Sequence, residues 1–459
     1  MSLYLKSDLN DTICALATAG GVGAIGVIRV SGENAIKMVN AIFKGKNLEK
    51  QNTHTVHFGK IVDEAVVLDE VLATLFVSPK SYSGENTVEL SCHGSPFIQQ
   101  KILQLLVKQG ARMAKPGEFT LRAFLNKKLD LSQAEAVADL IASHSESSHQ
   151  TAMQQMRGGF SLQIAALRER LVNFASLIEL ELDFGEEDVE FAKRDDLQRT
   201  VREILTVVTD LSASFKYGNA IKNGIPTVIV GKPNAGKSTL LNALVHEERA
   251  IVSDIAGTTR DTIEEAFVID GITFRLIDTA GIRTHTTDTI ESIGIERTFE
   301  KINQASIIIY LFDASTTTEA DLEHELKQFE TSSATVIAVA NKVDLLNGIS
   351  NTLQAHKNVI QMSSLQKTGL DTLTARLKNL IDSDAIKSDV VVSNLRHYEA
   401  LMLTAESLTS VLESMEMQQS GELLAFDIRK AIYHLGEIVG EITTDDLLTN
   451  IFSKFCIGK

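Results

Sequence analysis

The chain is 459 residues long, 44% hydrophobic and 23% charged, with a formal net charge of -16 at pH 7. That length exceeds what a single hydrophobic core fills, so several domains are expected, and the acidic balance argues against a simple basic grip on nucleic acid. Cys14, Cys92 and Cys456 lie far apart, which fits neither a disulfide framework nor a zinc pattern and points to a reducing cytosol.

Near the start, Lys6, Asp8 and Asp11 stand where an export signal would carry a basic stretch followed by an apolar core. The longest apolar run of note, 307–312, has the length of a strand, so no membrane span is expected and the location reads as cytoplasmic. Residues 1–120 mix strand-like runs, at 26–30 and 65–77, with a helix at 96–109, and read as an α+β domain. Residues 1–128 carry 15 Lys and Arg against 11 Asp and Glu, and the remainder carries 29 against 49, so a polyanion meets the N-terminal part first. Arg112, Lys115, Arg122, Lys127 and Lys128 form the densest basic cluster, read as solvated surface ahead of an RNA-binding patch. From 131 to 217 the pattern is nearly all helical, with Ile164, Leu167, Leu171, Phe174, Ile178 and Leu182 recurring at steps of three and four as a core-facing stripe.

The central third carries chemistry. The run 225–230 is apolar and β-branched, a buried strand, and it leads into Gly231-Lys-Pro-Asn234-Ala235-Gly236-Lys237-Ser238 and a helical pattern from Thr239 to 245. Strand, glycine-rich turn and helix make a P-loop: backbone N–H groups turn in around phosphate, Lys237 reaches the β- and γ-phosphates, and Ser238 ligates Mg²⁺. After the apolar run 275–277 come Asp278, Thr279, Ala280 and Gly281, and after 335–340 come Asn341, Lys342 and Asp344. A carboxylate at Asp344 accepts from guanine N1–H and its exocyclic amine, which adenine does not offer, so the nucleotide is GTP. Ser363, Ser364 and Leu365, after 359–362, fit the remaining base-contacting loop.

Hydrolysis needs parts that Ras-like switches place elsewhere. The residue after the Asp-x-x-Gly turn is Ile282, which cannot orient water, so another residue must; candidates come from the polar stretch 283–297, where Glu291 either swings in as the segment orders or lies on a solvated helix face. No arginine finger is evident. Asn234, with the carbonyl-rich loop Ser253, Asp254, Ile255, Ala256, Gly257 and Thr258, can hold a monovalent cation in its stead, and Thr259 offers a second hydroxyl to Mg²⁺. Helical patterning resumes from 395 to 450, so the α/β switch reads as inserted into a helical domain, with nucleotide state passing into helices at both ends of the insertion.

The inserted switch, the loop 254–261, Ser81-Tyr-Ser-Gly-Glu85, Pro116-Gly-Glu-Phe-Thr-Leu-Arg-Ala-Phe-Leu-Asn126 and the ending Cys456-Ile-Gly-Lys459 together resemble the MnmE (TrmE) family of tRNA-modification GTPases, over the whole chain and in the same domain order. The resemblance implies a multidomain fold: an N-terminal α+β folate-binding and dimerisation domain at 1–120, an all-α helical domain at 121–221 and 381–459, and an inserted Ras-like α/β P-loop GTPase domain at 222–380. It implies a homodimer whose GTPase domains meet in a K⁺-dependent manner. It also implies a partner, the FAD-dependent MnmG (GidA), in a heterotetramer or larger assembly that adds a (carboxymethyl)aminomethyl group to C5 of the wobble uridine of certain tRNAs. The one-carbon donor implied is 5-formyl- or methylene-tetrahydrofolate, with contacts at Arg29, Glu85, Lys128 and Lys459. Cys456 is implied to serve the modification chemistry, Glu291 to orient water, and Asn234, Ser253, Ile255 and Thr258 to hold K⁺. Two other readings are a ribosome-assembly GTPase, which lacks a role for the Cys-Ile-Gly-Lys ending, and a scaffold that binds GTP without turnover.

Overall fold

A computed structural model describes residues 11–183, 194–247, 265–277, 305–330, 332, 334–346, 358–380 and 390–459. The chain forms two compact units, one of residues 1–141, 153–205 and 403–459, the other of residues 142–152 and 206–402. No helix among the described residues is long and apolar enough to cross a membrane.

The first unit is built on a seven-stranded sheet of order β3-β4-β5-β6-β2-β1-β7. Its strands are β1 (Ile13–Leu16), β2 (Ile25–Ser31), β3 (Phe43–Lys44), β4 (Thr55–Asp63), β5 (Val66–Phe76), β6 (Thr87–His93) and β7 (Arg112–Met113). All pairings are antiparallel except that of β1 with β7. Strand alternation sends Val71, Ala73 and Leu75 of β5 into the core, where they meet Val39 and Ile42 of the helix Ala35–Ile42 and Ile102, Leu105 and Leu106 of the helix Pro96–Lys108. The same alternation leaves Val56, Phe58 and Leu72 exposed, Phe58 directly across from Leu72.

Helices complete this unit. The helix Gly159–Asp183 packs against Gly421–Val439, tied by Arg429 to Glu179 at 2.7 Å. Its expected apolar stripe is buried at Ile164, Leu167, Leu171 and Ile178; Ala175 joins it, Phe174 is half-buried, and Leu182 is exposed. The stripe drifts because a 3.6-residue turn rotates a strict three-four pattern slowly off the contact line. Gly440, at φ 84°, ends Gly421–Val439 in the left-handed conformation that a C-terminal cap needs.

The second unit is an α/β sheet of order β13-β12-β11-β8-β10-β9, with β8 (Ile225–Val230), β9 (Glu265–Ile269), β10 (Ile272–Leu276), β11 (Ile307–Asp313), β12 (Thr335–Asn341) and β13 (Ile360–Gln361). Only β9 is antiparallel, joined to β10 by Asp270-Gly271, both at positive φ as a tight hairpin requires. Phe267 and Phe274 stack across that hairpin at 5.1 Å, a pair worth about 1 kcal/mol beyond its buried area. β11 is buried along nearly its whole length, with Ile307, Ile309 and Leu311 in one core and Ile308, Tyr310 and Phe312 in another, which is why its sequence is continuously apolar.

Candidate functional site

In the second unit the functional loops leave the carboxyl ends of parallel strands, where open α/β sheets bind ligands. β8 runs into Gly231, and the helix Lys237–Glu247 starts six residues later. Gly231 lies against the Leu311 carbonyl and Gly236, at φ 99°, against the Asn341 amide, so a Cβ at either would collide. Asn234 adopts φ 64°, which turns the loop back towards the helix N-terminus. These residues turn the chain into the helix N-terminus, where backbone N–H groups favour an anion, with Ser238 in the first turn of the helix and Thr239 exposed beside it. Lys237 donates from Nζ to the carbonyls of Gly231 at 2.6 Å and Lys232 at 3.0 Å, and burial lowers its pKa.

The loops after β12 and β13 are tied to the loop after β8 through one buried amide. Asn341, closing β12, donates from Nδ2 to the Ala235 carbonyl at 2.7 Å, and its Oδ1 accepts from both the backbone N–H and the hydroxyl of Ser364, each at 2.9 Å. Ser363 is fully buried and its N–H donates to the Thr368 carbonyl, while Leu365 and Asp344 project to solvent. Lys342, at φ 63°, pairs through Nζ with Asp313 at 2.7 Å. Burial alone would raise the Asp313 carboxyl, but hydrogen bonds from Lys342 and Ser315 outweigh it and hold it below the ordinary value. The structure thus brings together, through Asn341, the loops that carry Asn234, Ala235, Gly236, Lys237 and Ser238, Asn341 and Lys342, and Ser363 and Ser364. The expected residues at 253–259 and 278–281, and Glu291, lie outside the described residues.

In the first unit a second constellation gathers residues far apart in sequence. Arg29, on β2, pairs with Glu89 directly across on β6 at 2.8 Å, and its guanidinium lies 5.2 Å from the Tyr82 ring centre and 5.6 Å from that of Phe119. Two residues on, and therefore on the same face, Ser31 donates to Glu85 at 2.7 Å. Lys128 packs its stem beside Gly84 and donates to the Pro79 carbonyl at 3.1 Å. The carboxyl-terminal segment arrives here too: Phe452 and Phe455 are buried with Leu121 and Leu131, and the Gly458 carbonyl accepts from Arg29 at 3.3 Å. Burial and then the Arg29 charge lower the Lys459 pKa, with Glu89 and Cys456 opposing. Cys456 is exposed, whereas burial pushes the Cys14 and Cys92 thiols up to about 11.

Arg112 and Arg122, read from sequence as part of a basic surface, turn inward. Arg122 bridges Asp11, Glu118 and Glu85, and Arg112 holds Asp11 and Glu118 at 2.6 Å each. Burial works against the Asp11 charge, yet the two guanidiniums hold its carboxyl below the usual range. Sequence reasoning missed Asp11, Ser31, Tyr82, Glu89, Glu118 and Asp313 as site partners. The one local signal was at Arg122, whose neighbours Phe119, Leu121, Ala123 and Phe124 are too apolar for a solvated basic face.

Comparisons with known proteins identify the family. A family described as "GTP-binding protein TrmE N-terminus" matches residues 12–128, and one described as "MnmE helical domain" matches residues 131–456. The chain is 54% identical to the tRNA modification GTPase MnmE of Cytophaga hutchinsonii, covering 100% of both chains. It is 54% identical to the protein of that name from Christiangramia forsetii, over 98% of this chain and 100% of that one, and 51% identical to that of Bacteroides fragilis over 98% and 99%. With two family models matching 12–128 and 131–456 and full-length identity above one half, the chain belongs to the MnmE family of tRNA modification GTPases.

Proposed function

We propose that this chain is a K⁺-stimulated GTP hydrolase acting in the cytoplasm with the FAD-dependent MnmG. Together they add a (carboxymethyl)aminomethyl group to C5 of the wobble uridine of certain tRNAs, using a one-carbon tetrahydrofolate. In this reading the chain divides at 1–120, 121–221, 222–380 and 381–459. Lys237 and the backbone N–H groups of 234–239 hold the β- and γ-phosphates, Ser238 and Thr259 ligate Mg²⁺, and Asp278 to Gly281 face the γ-phosphate. Asn341, Asp344 and Ser363 to Leu365 read guanine, and Glu291 orients the attacking water. Asn234, with the oxygens of Ser253, Ile255 and Thr258, holds the K⁺ whose charge stands in for an arginine finger. Arg29, Glu85, Lys128 and Lys459 bind the folate, and Cys456 stands beside it.

The observation that carries the hydrolytic part is the single amide of Asn341 joined to both the P-loop at Ala235 and the base loop at Ser364. The folate part is supported by the convergence of Arg29, Glu85, Lys128 and the carboxyl-terminal segment in one unit. The donor set fits a pterin, whose amidine-like edge pairs with a carboxylate. Homodimerisation is supported by the open sheet face carrying Val56, Phe58 and Leu72. The test is steady-state GTP hydrolysis in KCl against NaCl at matched ionic strength, with Glu291→Ala and Asn234→Ala alongside. Turnover specific to K⁺ that collapses in both variants is expected; equal rates in the two salts, or activity that survives loss of Glu291, would overturn the hydrolytic assignment.

A further inference from the structure

We infer that Arg122 is the positioning residue that fixes the Glu85 carboxylate for the 2-amino edge of a reduced pterin, an inference that rests on the folate reading above. Glu85 lies in the segment between β5 and β6, and a glutamate there has several rotatable bonds and no helix or strand to set its direction. What sets it is the ion network behind it. The Arg122 Nη1 group donates to both Glu85 oxygens at 3.2 Å and to the Asp11 carbonyl at 2.7 Å, while Nη2 donates to the Asp11 carboxylate at 2.8 Å and to Glu118 at 3.0 Å. Ser31 also donates to Glu85 Oε2, at 2.7 Å.

Arg122 is itself immobile. Its side chain is 2% exposed, and its partner Glu118, 1% exposed, is locked by Arg112 and by the Lys115 N–H at 2.8 Å. A planar fork with several donors can hold three acceptors at fixed angles; an ammonium on a flexible stem cannot. Among the described residues, Arg112 and Arg122 hold the carboxylates of Asp11, Glu118 and Glu85; Glu118 is closed off, while Glu85, with its side chain 19% exposed, keeps a face open to a ligand. A carboxylate held in this way accepts from an N–H pair such as a pterin offers, whereas a ligand carboxylate or phosphate would be repelled. Glu85 is therefore the pterin end of the site, and the cations Lys128 and Lys459 suit the acidic tail.

The experiment measures 5-formyl-tetrahydrofolate binding to the full-length protein by calorimetry, for the wild type, Glu85→Gln, Arg122→Lys, Arg122→Gln and the Glu85→Gln/Arg122→Lys pair. It is repeated with the 2-desamino analogue of the ligand. Melting temperature and GTP turnover report on folding, and Arg122→Lys keeps the buried charge that Arg122→Gln removes. The expected result is a loss of about tenfold or more for Glu85→Gln and for Arg122→Lys, with no further loss in the double variant. The wild type is expected to prefer the natural ligand to the 2-desamino analogue, and Arg122→Lys to lose that preference. Additive losses, or unchanged discrimination in Arg122→Lys, would show that Arg122 serves only the fold and would overturn the inference. Absence of binding by the wild type, or full binding by Glu85→Gln, would instead overturn the folate reading on which it rests.

Discussion

At the scale of single residues, Gly236 and Asn341 act as one contact. The glycine must lack a side chain because the Asn341 amide occupies that space, and its φ of 99° is one that L residues avoid. Gly236→Ala is expected to push the amide off the Ala235 carbonyl, leaving buried polar groups unpaired at a cost of about 1–3 kcal/mol. Nucleotide affinity, followed with a fluorescent GDP, should fall by about tenfold or more while the helical units keep their circular dichroism; near-normal affinity would refute the contact's importance. Residue identities around this cleft were legible because the P-loop and the Asn-Lys-x-Asp motif are local patterns with fixed chemistry. The N-terminal network was not, because Arg112 and Arg122 meet Asp11 from 101 and 111 positions away and no local rule pairs them.

At the scale of elements, strands bounded by glycine or polar turns were read closely: 225–230 is β8, and 335–340 is β12 less its last residue. The two-residue strands β3 and β7 were invisible, since a pair of residues carries no period. The helix Glu118–Leu125 illustrates how an element takes its place from a distant segment. Its N-cap, Gly117, has φ 68°; its N–H points to the Cys456 carbonyl at 3.4 Å, and a Cβ there would come within 2.6 Å of the Phe452 carbonyl. Gly117→Ala is expected to lift the carboxyl-terminal segment from this helix. Trypsin should then cut after Lys454 several-fold faster than in the wild type under native conditions, and an unchanged cleavage rate would show that the segment is held from elsewhere.

At the scale of the whole molecule, the proposed homodimer has its contact on the open face of the N-terminal sheet. Phe58 is 63% exposed in a strand whose next residues alternate inward, so replacing it costs the single chain little. Phe58→Asp is expected to halve the mass seen by light scattering with little change in melting temperature; a mass equal to the wild type's would place self-association on another surface. The first unit draws on the beginning, middle and end of the chain, whereas the second is nearly contiguous from 206 to 402. A ribosome therefore delivers the GTP-binding core whole before it has released the helix Gly421–Val439 against which Gly159–Asp183 must pack. During synthesis the N-terminal sheet waits, its helical support and its Gly458 contact not yet released, while the unit that carries the P-loop is already complete. A nascent chain that has just released residue 402 from the ribosome is thus competent for guanine nucleotide before it is competent for anything that needs Arg29 and the tail together.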